Sequence, residues 1–496
     1  MARREAPVFS IVEVAAYERA VTLRLPFRFG AVTVTHAPQA FVRARIRLQD
    51  GREASGASAE LMVPKWFDKS PALSEAQSFD QLRTSLRQAC DAYVADARPR
   101  TAFGHFAAHY AELLEQGRCN GLPALAAGFG PAELDKALLD ALARACDLPF
   151  HELVQRNLAG IAPASLLPEF HGFDIDAFLA TLAPASSIAV RHTVGMLDLI
   201  EGHPGAVEDG LPESLQEAIS AYGLHYFKIK LGGDIDADIA RLSSIAAVLD
   251  RELARYVVTL DGNEQYDDIG GLAALWQRIG ATAVLDRLRD RIAFVEQPVN
   301  RGSALERSVA GISDMVPVII DESDSTLDAF VLARELGYRG VSSKACKGLY
   351  KSLINRARCE RWNRDAGHAR WFMSGEDLTT QAGLSVQQDL ALASLLGLTH
   401  VERNGHHYVN GFAGQRSPAG EQDAFLAAHA DLYERSHGSV RLRVRDGALA
   451  IASLSQPGFA SGAMPQWSSM SLLAEPCAPD AQRSTSMIEA AAGKAE

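Results

Sequence analysis

The feature that most constrains this fold is a repeated unit in which a short apolar run, typical of a strand, precedes a helical segment. Successive runs end about 23 to 38 residues apart, the length that a strand, a crossover helix and two loops require. Eight such units predict a closed (β/α)8-type barrel. The eight runs lie at 187–193, 226–231, 256–261, 292–296, 317–321, 340–344, 371–374 and 399–402.

The rest of the chain follows other patterns. Residues 8–64 alternate apolar and polar positions and predict a small antiparallel sheet. Residues 75–160 have a helical period, clearest in the stripe formed by Leu134, Leu138, Leu142 and Ala145. We therefore expect a first α+β domain at 1–160, a linker at 161–186, the barrel at 187–410 and a C-terminal segment at 411–496 that returns to the first domain. That segment has one predicted helix, 421–434, and a tail that we expect to be mobile from about 480.

The composition excludes several classes of protein. Of 496 residues, 47% are hydrophobic and 22% are charged, as in ordinary globular chains. The net charge of −12 disfavours nucleic acid and anionic membrane as partners. The sequence has no apolar run long enough to span a membrane, no apolar signal segment, and six cysteines without zinc-site spacing. We therefore expect a cytoplasmic protein with reduced thiols.

Charged residues end the middle strands of the predicted barrel, where barrel enzymes place their reactive groups. In chain order, strands two to six end with Lys228-Ile-Lys230, Asp261-Gly-Asn263, Glu296-Gln-Pro298, Asp321-Glu322 and Lys344. Three carboxylates at one barrel mouth would repel one another unless a cation neutralised them. An all-oxygen set predicts Mg²⁺ held by Asp261, Glu296 and Asp321, and Mn²⁺ would also fit.

The lysines at this mouth predict proton transfer. Lys230 and Lys344 are expected to face each other across the barrel, and a nearby cation should lower a lysine pKa towards neutrality. Lys228 lies two residues from Lys230 on the same strand face, so it can stabilise negative charge on a substrate. Together these groups suit removal of a proton alpha to a carboxylate, through an enediolate.

The motifs resemble those of the enolase superfamily, and within it the muconate-lactonizing type. The resemblance covers the Pro26–Gly30 region, the helix 134–140 and the barrel to about residue 405. It is carried by Lys228-x-Lys230, Asp261-x-Asn263, Val295-Glu-Gln-Pro298, Asp321-Glu-Ser323 and Lys344-x-x-Lys347-Gly348.

This resemblance implies an α/β fold, a modified TIM barrel of (β/α)7β type with an N-terminal α+β capping domain. It also implies that Lys230 and Lys344 form the acid/base pair, that the three carboxylates bind Mg²⁺, and that loops after Gly30 and around Lys65-Trp66 close over the pocket. We further expect substrate contacts from Asn263, Glu322, Lys347, Glu376, Asp377 and Glu402. A homo-oligomer is an expectation that depends on the resemblance alone.

The sequence leaves the product open. Reprotonation by the opposite lysine would give racemisation or epimerisation, whereas other fates of the enediolate are cycloisomerisation and dehydration of a small carboxylic acid. The Asp-x-Asp of many dipeptide epimerases is missing near the eighth strand, where the chain reads Val401-Glu-Arg-Asn-Gly-His-His407. Two alternatives of other classes are a metal-independent Schiff-base aldolase and a non-catalytic, metal-binding barrel.

Overall fold

The computed structural model describes residues 5–30, 32–202 and 207–474. The predicted tail from about 480 and Cys477 lie outside these residues. The other five cysteines are free thiols. Within the described ranges, no helix is long and apolar enough to cross a membrane.

The N-terminal part pairs a three-stranded antiparallel sheet with a group of helices, as predicted. Its strands are β1 (Phe9–Phe29), β2 (Val32–Leu48) and β3 (Glu53–Leu61). Its helices are α1 (Pro64–Phe67), α2 (Glu75–Ala95), α3 (Ala102–Cys119), α4 (Ala124–Cys146), α5 (Phe150–Gln155) and α6 (Ile175–Thr181). We refer to β1–β3 and α1–α5 as the cap.

The helix that carries the predicted apolar stripe, α4, begins ten residues before the stripe, at Ala124, and contains Pro131 in its interior. A proline has no N–H to donate to the carbonyl four residues earlier, which here belongs to Ala127. Ser85 of α2 donates its hydroxyl to that carbonyl at 2.8 Å and accepts from the N–H of Gly130 at 2.9 Å. A neighbouring helix thus supplies the missing hydrogen bond, and α4 continues through the proline.

The second half forms a closed barrel of eight parallel strands, and the predicted fold is confirmed. Its strands are β4 (Ser187–Val194), β5 (Tyr226–Lys230), β6 (Val257–Asp261), β7 (Ile292–Glu296), β8 (Val318–Ile320), β9 (Gly340–Ser343), β10 (Phe372–Gly375) and β11 (His400–Arg403). Pairing of β11 with β4 closes the barrel.

Helices fill all seven connections between successive barrel strands, in agreement with the (β/α)7β type. They are α7 (Leu215–Tyr222), α8 (Ile235–Glu252), α9 (Ile269–Gly280), α10 (Asp286–Arg289), α11 (Ala310–Ser313), α12 (Ala329–Glu335), α13 (Leu349–Ala366) and α14 (Leu384–Leu395). Only the single turn α15 (Gly405–Tyr408) follows β11 directly. Short 3₁₀ turns lie at Pro163–Ser165, Pro168–Phe170, Ala283–Leu285, Ala345–Lys347, Gly411–Gln415, Ala452–Leu454 and Trp467–Ser469.

The C-terminal segment differs from its prediction. Helix α16 (Ala419–Ala428) ends earlier than the predicted helix 421–434, and a hairpin of β12 (Tyr433–Ser436) and β13 (Ser439–Leu442) follows. The alternating residues 439–444 favour a strand, and the intervening His437 and Gly438 both have positive φ, as tight hairpins require. Strand β14 (Ala448–Ala450) then pairs with β4, and β15 (Ser471–Leu472) pairs with β1 of the cap.

One continuous cluster of buried apolar side chains extends through the cap, the barrel and the C-terminal segment, from Phe9 to Ala463. The cap therefore shares its core with the barrel. Because no break in this cluster marks a boundary, the domain limits given above stay predictions.

Candidate active site

The barrel brings the charged strand ends together at one mouth. Neighbouring strands are in register there, with Lys230 beside Asp261 and Asp261 beside Glu296. Strands β5 and β9 are four positions apart in a ring of eight, so Lys230 and Lys344 approach the centre from opposite sides. The side chains of all six predicted catalytic and metal-binding residues are buried at this mouth.

Lys228 lies at the centre of the barrel and makes four ion pairs. Its Nζ lies 2.8 Å from the carboxylates of Asp261 and Glu296, 2.7 Å from that of Glu376 and 2.9 Å from that of Glu402. Burial alone would lower the pKa of Lys228, but the carboxylates outweigh it and hold the pKa well above the ordinary lysine value. Lys228 is therefore a permanent positive charge in this arrangement.

Lys230 and Lys344 each lie between a carboxylate and an aromatic ring of the cap. Lys230 Nζ is 2.7 Å from Asp261 and 5.9 Å from the ring centre of Phe27. Lys344 Nζ donates to Asp321 and lies 4.2 Å from the ring centre of Trp66. Trp66 belongs to the cap segment around Lys65-Trp66 that was expected to close over the pocket, whereas Phe27 lies in β1, before the other expected loop.

In its pairing with Asp321, Lys344 has a pKa above the ordinary lysine value. Burial lowers the pKa of its ammonium, but the negative charges of Asp321, Glu296 and Glu322 raise it by more. The lowering expected from sequence depends on a cation near Lys344, so it stays a prediction. Bound in this way, Lys344 is protonated at neutral pH.

Asp321 is held in place by the glutamine of the Glu-Gln-Pro motif. Gln297 Oε1 accepts from the backbone N–H groups of Asp321 at 2.8 Å and Ser323 at 3.1 Å, and its Nε2 donates to Ser323 Oγ at 2.7 Å. Burial would raise the pKa of the Asp321 carboxyl, but Lys344 and Lys347 hold it well below its usual range. Gln297 is a positioning residue that sequence reasoning passed over.

The carboxylates at the mouth remain crowded in spite of the lysines. Burial raises the pKa of Glu296 well above its usual range, and the nearby charges of Asp261 and Glu376 raise it further. This crowding is the condition that a divalent cation relieves, and the donor set of Asp261, Glu296 and Asp321 is all oxygen, which suits Mg²⁺. In the described arrangement, however, these carboxylates face lysines, and no three His, Cys, Asp or Glu side chains there converge on a metal position.

The turn after β6 leaves polar atoms free for a ligand. Asn263 and Glu264 both have positive φ, and a Cβ at Gly262 would lie 2.6 Å from Pro298 Cα, so the chain turns tightly here. Asn263 Oδ1 and Glu322 Oε2 are buried and accept no hydrogen bond from the described residues. Such acceptors are usually satisfied by a partner.

The cavity separates the predicted substrate-binding residues into two groups. Asn263 and Asp377 line it, together with Lys228, Lys230 and Lys344. The other four lie behind its wall: Glu376 and Glu402 bind Lys228, Lys347 lies 3.0 Å from Asp324, and Glu322 lies beside Asn263. The remaining lining residues are mostly apolar side chains of the cap.

Three residues that sequence reasoning missed attach the cap loop to the barrel. Arg301, after β7, donates to the carbonyls of Trp66 at 2.8 Å and Phe67 at 2.9 Å. Glu264 binds the Arg301 guanidinium through both oxygens at 2.7 Å and Lys69 Nζ at 2.5 Å. We call Lys69, Glu264 and Arg301 the cap latch. No short motif marks these residues, because they meet only in the folded chain.

A second cluster lies outside the barrel wall. His192 of β4 points away from the barrel interior, and its Nδ1 lies 3.0 Å from His406 Nε2, while its ring packs on that of His407. All three rings are buried, and burial lowers the pKa of His192 and of His407 to about 3. The cluster is therefore neutral, and it packs β4 against α15.

Known proteins share this architecture. A family model described as enolase C-terminal domain-like matches residues 210–459, half of the chain. The chain belongs to the enolase superfamily. The predicted membership is thereby confirmed, and the protein is an enzyme of this superfamily. No curated protein matches the sequence.

Three solved structures illustrate the fold of this superfamily member. A dipeptide epimerase from Enterococcus faecalis V583, complexed with Mg and L-Leu-L-Tyr, is 15% identical with a TM-score of 0.57, and the match covers 91% of this chain and 99% of that one. Muconate lactonizing enzyme from Pseudomonas fluorescens, complexed with muconolactone, is 17% identical with a TM-score of 0.55, covering 93% and 98%. The 2-chloromuconate cycloisomerase from Rhodococcus opacus 1CP is 16% identical with a TM-score of 0.55, covering 93% and 97%. At these identities the likeness shows the fold. A muconate lactonizing enzyme, the type that the sequence motifs resemble, is among the structures that have this fold.

Proposed function

We propose that this protein removes the proton alpha to the carboxylate of a small carboxylic acid in a Mg²⁺-dependent reaction. We further propose that the reaction is a racemisation or an epimerisation. The observation that carries the proposal is the placement of Lys230 and Lys344 on opposite sides of one cavity. Inversion at carbon requires a base on one face and an acid on the other. Cycloisomerisation can use one of these two groups, and so can dehydration when that group takes the α-proton and then protonates the leaving hydroxyl on the same face.

Asp261, Glu296 and Asp321 would hold the metal ion. A bound Mg²⁺ supplies charge that stabilises an enediolate and offsets the repulsion among the carboxylates. The crowding at Glu296 and the oxygen-only donor set support this assignment, as does the Mg present in the dipeptide epimerase complex. Mn²⁺ has the same ligand preference.

Charge stabilisation, proton transfer and substrate binding are assigned to different residues of this chain. Lys228, kept charged by four carboxylates, stabilises negative charge on the substrate carboxylate. Lys230 and Lys344 exchange a proton with the substrate α-carbon from opposite faces. Each must first release its ion pair with Asp261 or Asp321, and metal binding by these two carboxylates would allow that release. Asn263 and Asp377, which line the cavity, are the proposed contacts for polar substrate groups.

The test is deuterium incorporation at the α-carbon in D₂O with Mg²⁺, followed by mass spectrometry over N-acylamino acids, dipeptides, cyclic carboxylates and sugar acids. We expect the wild type to exchange both stereoisomers of its substrate. Lys230→Ala should lose exchange of one stereoisomer and Lys344→Ala that of the other, each by about 10²- to 10⁴-fold. The control Arg278→Ala removes an exposed cation on α9 whose partner Asp236 is also exposed, and it should exchange both.

Other outcomes separate the alternatives. Loss of both stereoisomers in a single variant, with loss of a β-group from the product, would replace racemisation by dehydration. Activity that survives EDTA, with borohydride trapping of a lysine, would indicate the Schiff-base aldolase. Metal-dependent stabilisation without exchange of any carboxylate would indicate a non-catalytic barrel.

A further inference from the structure

The candidate cavity has two chemically different walls. Its barrel side carries the lysines, Asn263 and Asp377. Its cap side is apolar and consists of Phe27, Phe29, Val34, Leu61, Val63 and Trp66. A carboxylate bound at the lysines therefore directs the rest of its molecule against apolar side chains of the cap.

The cavity itself is too small for that remainder. Its volume is about 20 Å³, enough for about one water molecule. A second pocket of about 280 Å³ adjoins it on the cap, and the two have Val34 and Val63 as common lining residues. These two valines therefore form the partition between the reaction centre and a larger space.

The walls of the second pocket suit an apolar occupant. Besides the two valines it is lined by Val32, Ala37, Met62, Pro64 and Phe79. Two of its polar residues are bound to cap carbonyls: Lys65 Nζ donates to those of Ser70 and Leu73, and Ser78 Oγ donates to that of Ser74. His36 Nε2 lies 3.7 Å from a Glu75 oxygen at the exposed rim.

We propose that the second pocket binds the α-substituent of the substrate, and that this substituent is an extended apolar chain, alkyl or arylalkyl, which passes between Val34 and Val63. This inference depends on the proposed function, because it takes the carboxylate end to lie at the lysines. Val34 is the partition residue that can yield, since it is only half-buried and lies near the start of β2. Val34 and Val63 thus determine specificity by selecting acids with a long apolar substituent.

The test is a series of equilibrium dissociation constants for butanoate, hexanoate, octanoate and decanoate with the Mg²⁺-loaded protein, measured by isothermal titration calorimetry. In the wild type, affinity should rise about threefold to fourfold for each methylene buried in the second pocket. Val34→Trp should close the passage, so the gain in affinity with chain length should disappear and decanoate should bind no more tightly than hexanoate. The matched control Val94→Trp, at a cap residue that is 44% exposed, should keep the wild-type series.

A second variant covers the case in which Val34→Trp does not fold. Phe79→Ser changes the far wall of the pocket at a half-buried helix position and should weaken decanoate selectively. Equal affinity for all four acids, or a chain-length gain that persists in both pocket variants, would overturn the proposal. Deuterium exchange without a chain-length preference would remove the pocket assignment and leave the proposed function. A chain-length preference without exchange of any acid would leave the pocket as a binding site for apolar chains and remove the proposed function.

Discussion

At the scale of single residues, Ser85 shows how one side chain allows an element that local propensity disfavours. Pro131 removes a backbone donor from α4, and the hydroxyl of Ser85 satisfies the carbonyl of Ala127 instead. Ser85 is 2% exposed, so no water can replace that hydroxyl without rearrangement.

We expect Ser85→Ala to lower the free energy of unfolding by about 1 to 3 kcal/mol, because the buried carbonyl of Ala127 loses the hydroxyl that donates to it. Urea denaturation followed by circular dichroism measures this change. The control is Ser220→Ala, since the exposed Ser220 hydroxyl bonds a carbonyl within its own helix. Equal effects of the two substitutions would contradict the role of Ser85.

The histidine cluster predicts a pH dependence of stability. The folded protein keeps His192 and His407 neutral down to about pH 3, whereas histidine in the unfolded chain gains its proton near pH 6.5. The unfolded state therefore binds more protons as the pH falls below about 6.5, and stability decreases by about 1.4 kcal/mol per pH unit for each such histidine. Above that pH their contribution is complete.

Replacing one of these rings should reduce the slope. We expect His407→Gln to make the decline in unfolding free energy between pH 6 and pH 4.5 shallower by about one proton, or 1.4 kcal/mol per pH unit. Urea denaturation at several pH values measures the slope. His36→Gln, at a side chain that is 63% exposed, should leave the slope unchanged, and a change there as large as at His407 would contradict burial as the cause.

At the scale of elements, the cap latch links a one-turn helix to the barrel. Helix α1 has too few residues to be stable alone, so its position over Lys344 depends on the bonds from Arg301 to the carbonyls of Trp66 and Phe67. Lysine cannot replace these bonds, because it lacks the planar fork that contacts two carbonyls and a carboxylate together.

We expect Arg301→Lys to raise KM about tenfold while kcat changes less, since the loop helps to enclose substrate without taking part in proton transfer. Trypsin cleavage after Lys65 or Lys69 should also become faster, as followed by mass spectrometry. Arg287→Lys is a matched control, because Arg287 also binds backbone carbonyls, at Asp250, Leu253 and Ala254, but far along the chain from the cap loop. An unchanged cleavage rate in Arg301→Lys would refute the latch.

Sequence patterns predicted the barrel strands better than the short hairpin. The eight barrel strands were predicted within about two residues of their observed limits, because each strand and its end residues are a local pattern. The hairpin of β12 and β13 was missed, since its two strands are only four residues long and the preceding helix pattern continued into it. Short elements give a weak periodic signal.

At the scale of the whole molecule, a buried ion pair joins the cap to the C-terminal segment. Arg19 of β1 contacts both carboxylate oxygens of Glu421 in α16, at 2.7 and 2.8 Å, and also donates to Ser417 and Ser469. Both partners are nearly fully buried. Removing one of them leaves an uncompensated charge inside the protein.

Arg19→Met should therefore lower the free energy of unfolding by about 3 to 5 kcal/mol, and the double variant Arg19→Met/Glu421→Met should recover much of that loss. Chemical denaturation of the four proteins in this cycle gives the coupling energy. The exposed pair Arg118–Glu115 is the control, and Arg118→Met should change the free energy of unfolding far less than Arg19→Met does. Additive losses at Arg19 and Glu421 would contradict a specific pair.

The sequence by itself determined the barrel, the antiparallel sheet before it and the residues that end the barrel strands, because these depend on local periodicity and on the rule that parallel strands share one active edge. Only the tertiary structure decided which charges meet there: Asp321 turns to Lys344, Glu376 and Glu402 surround Lys228, and the cap latch fixes Trp66 over the site. These contacts join residues that are far apart in the chain, and their geometry depends on packing that no local pattern records. The roles proposed for the lysines and carboxylates follow from the sequence motifs and from these tertiary contacts together.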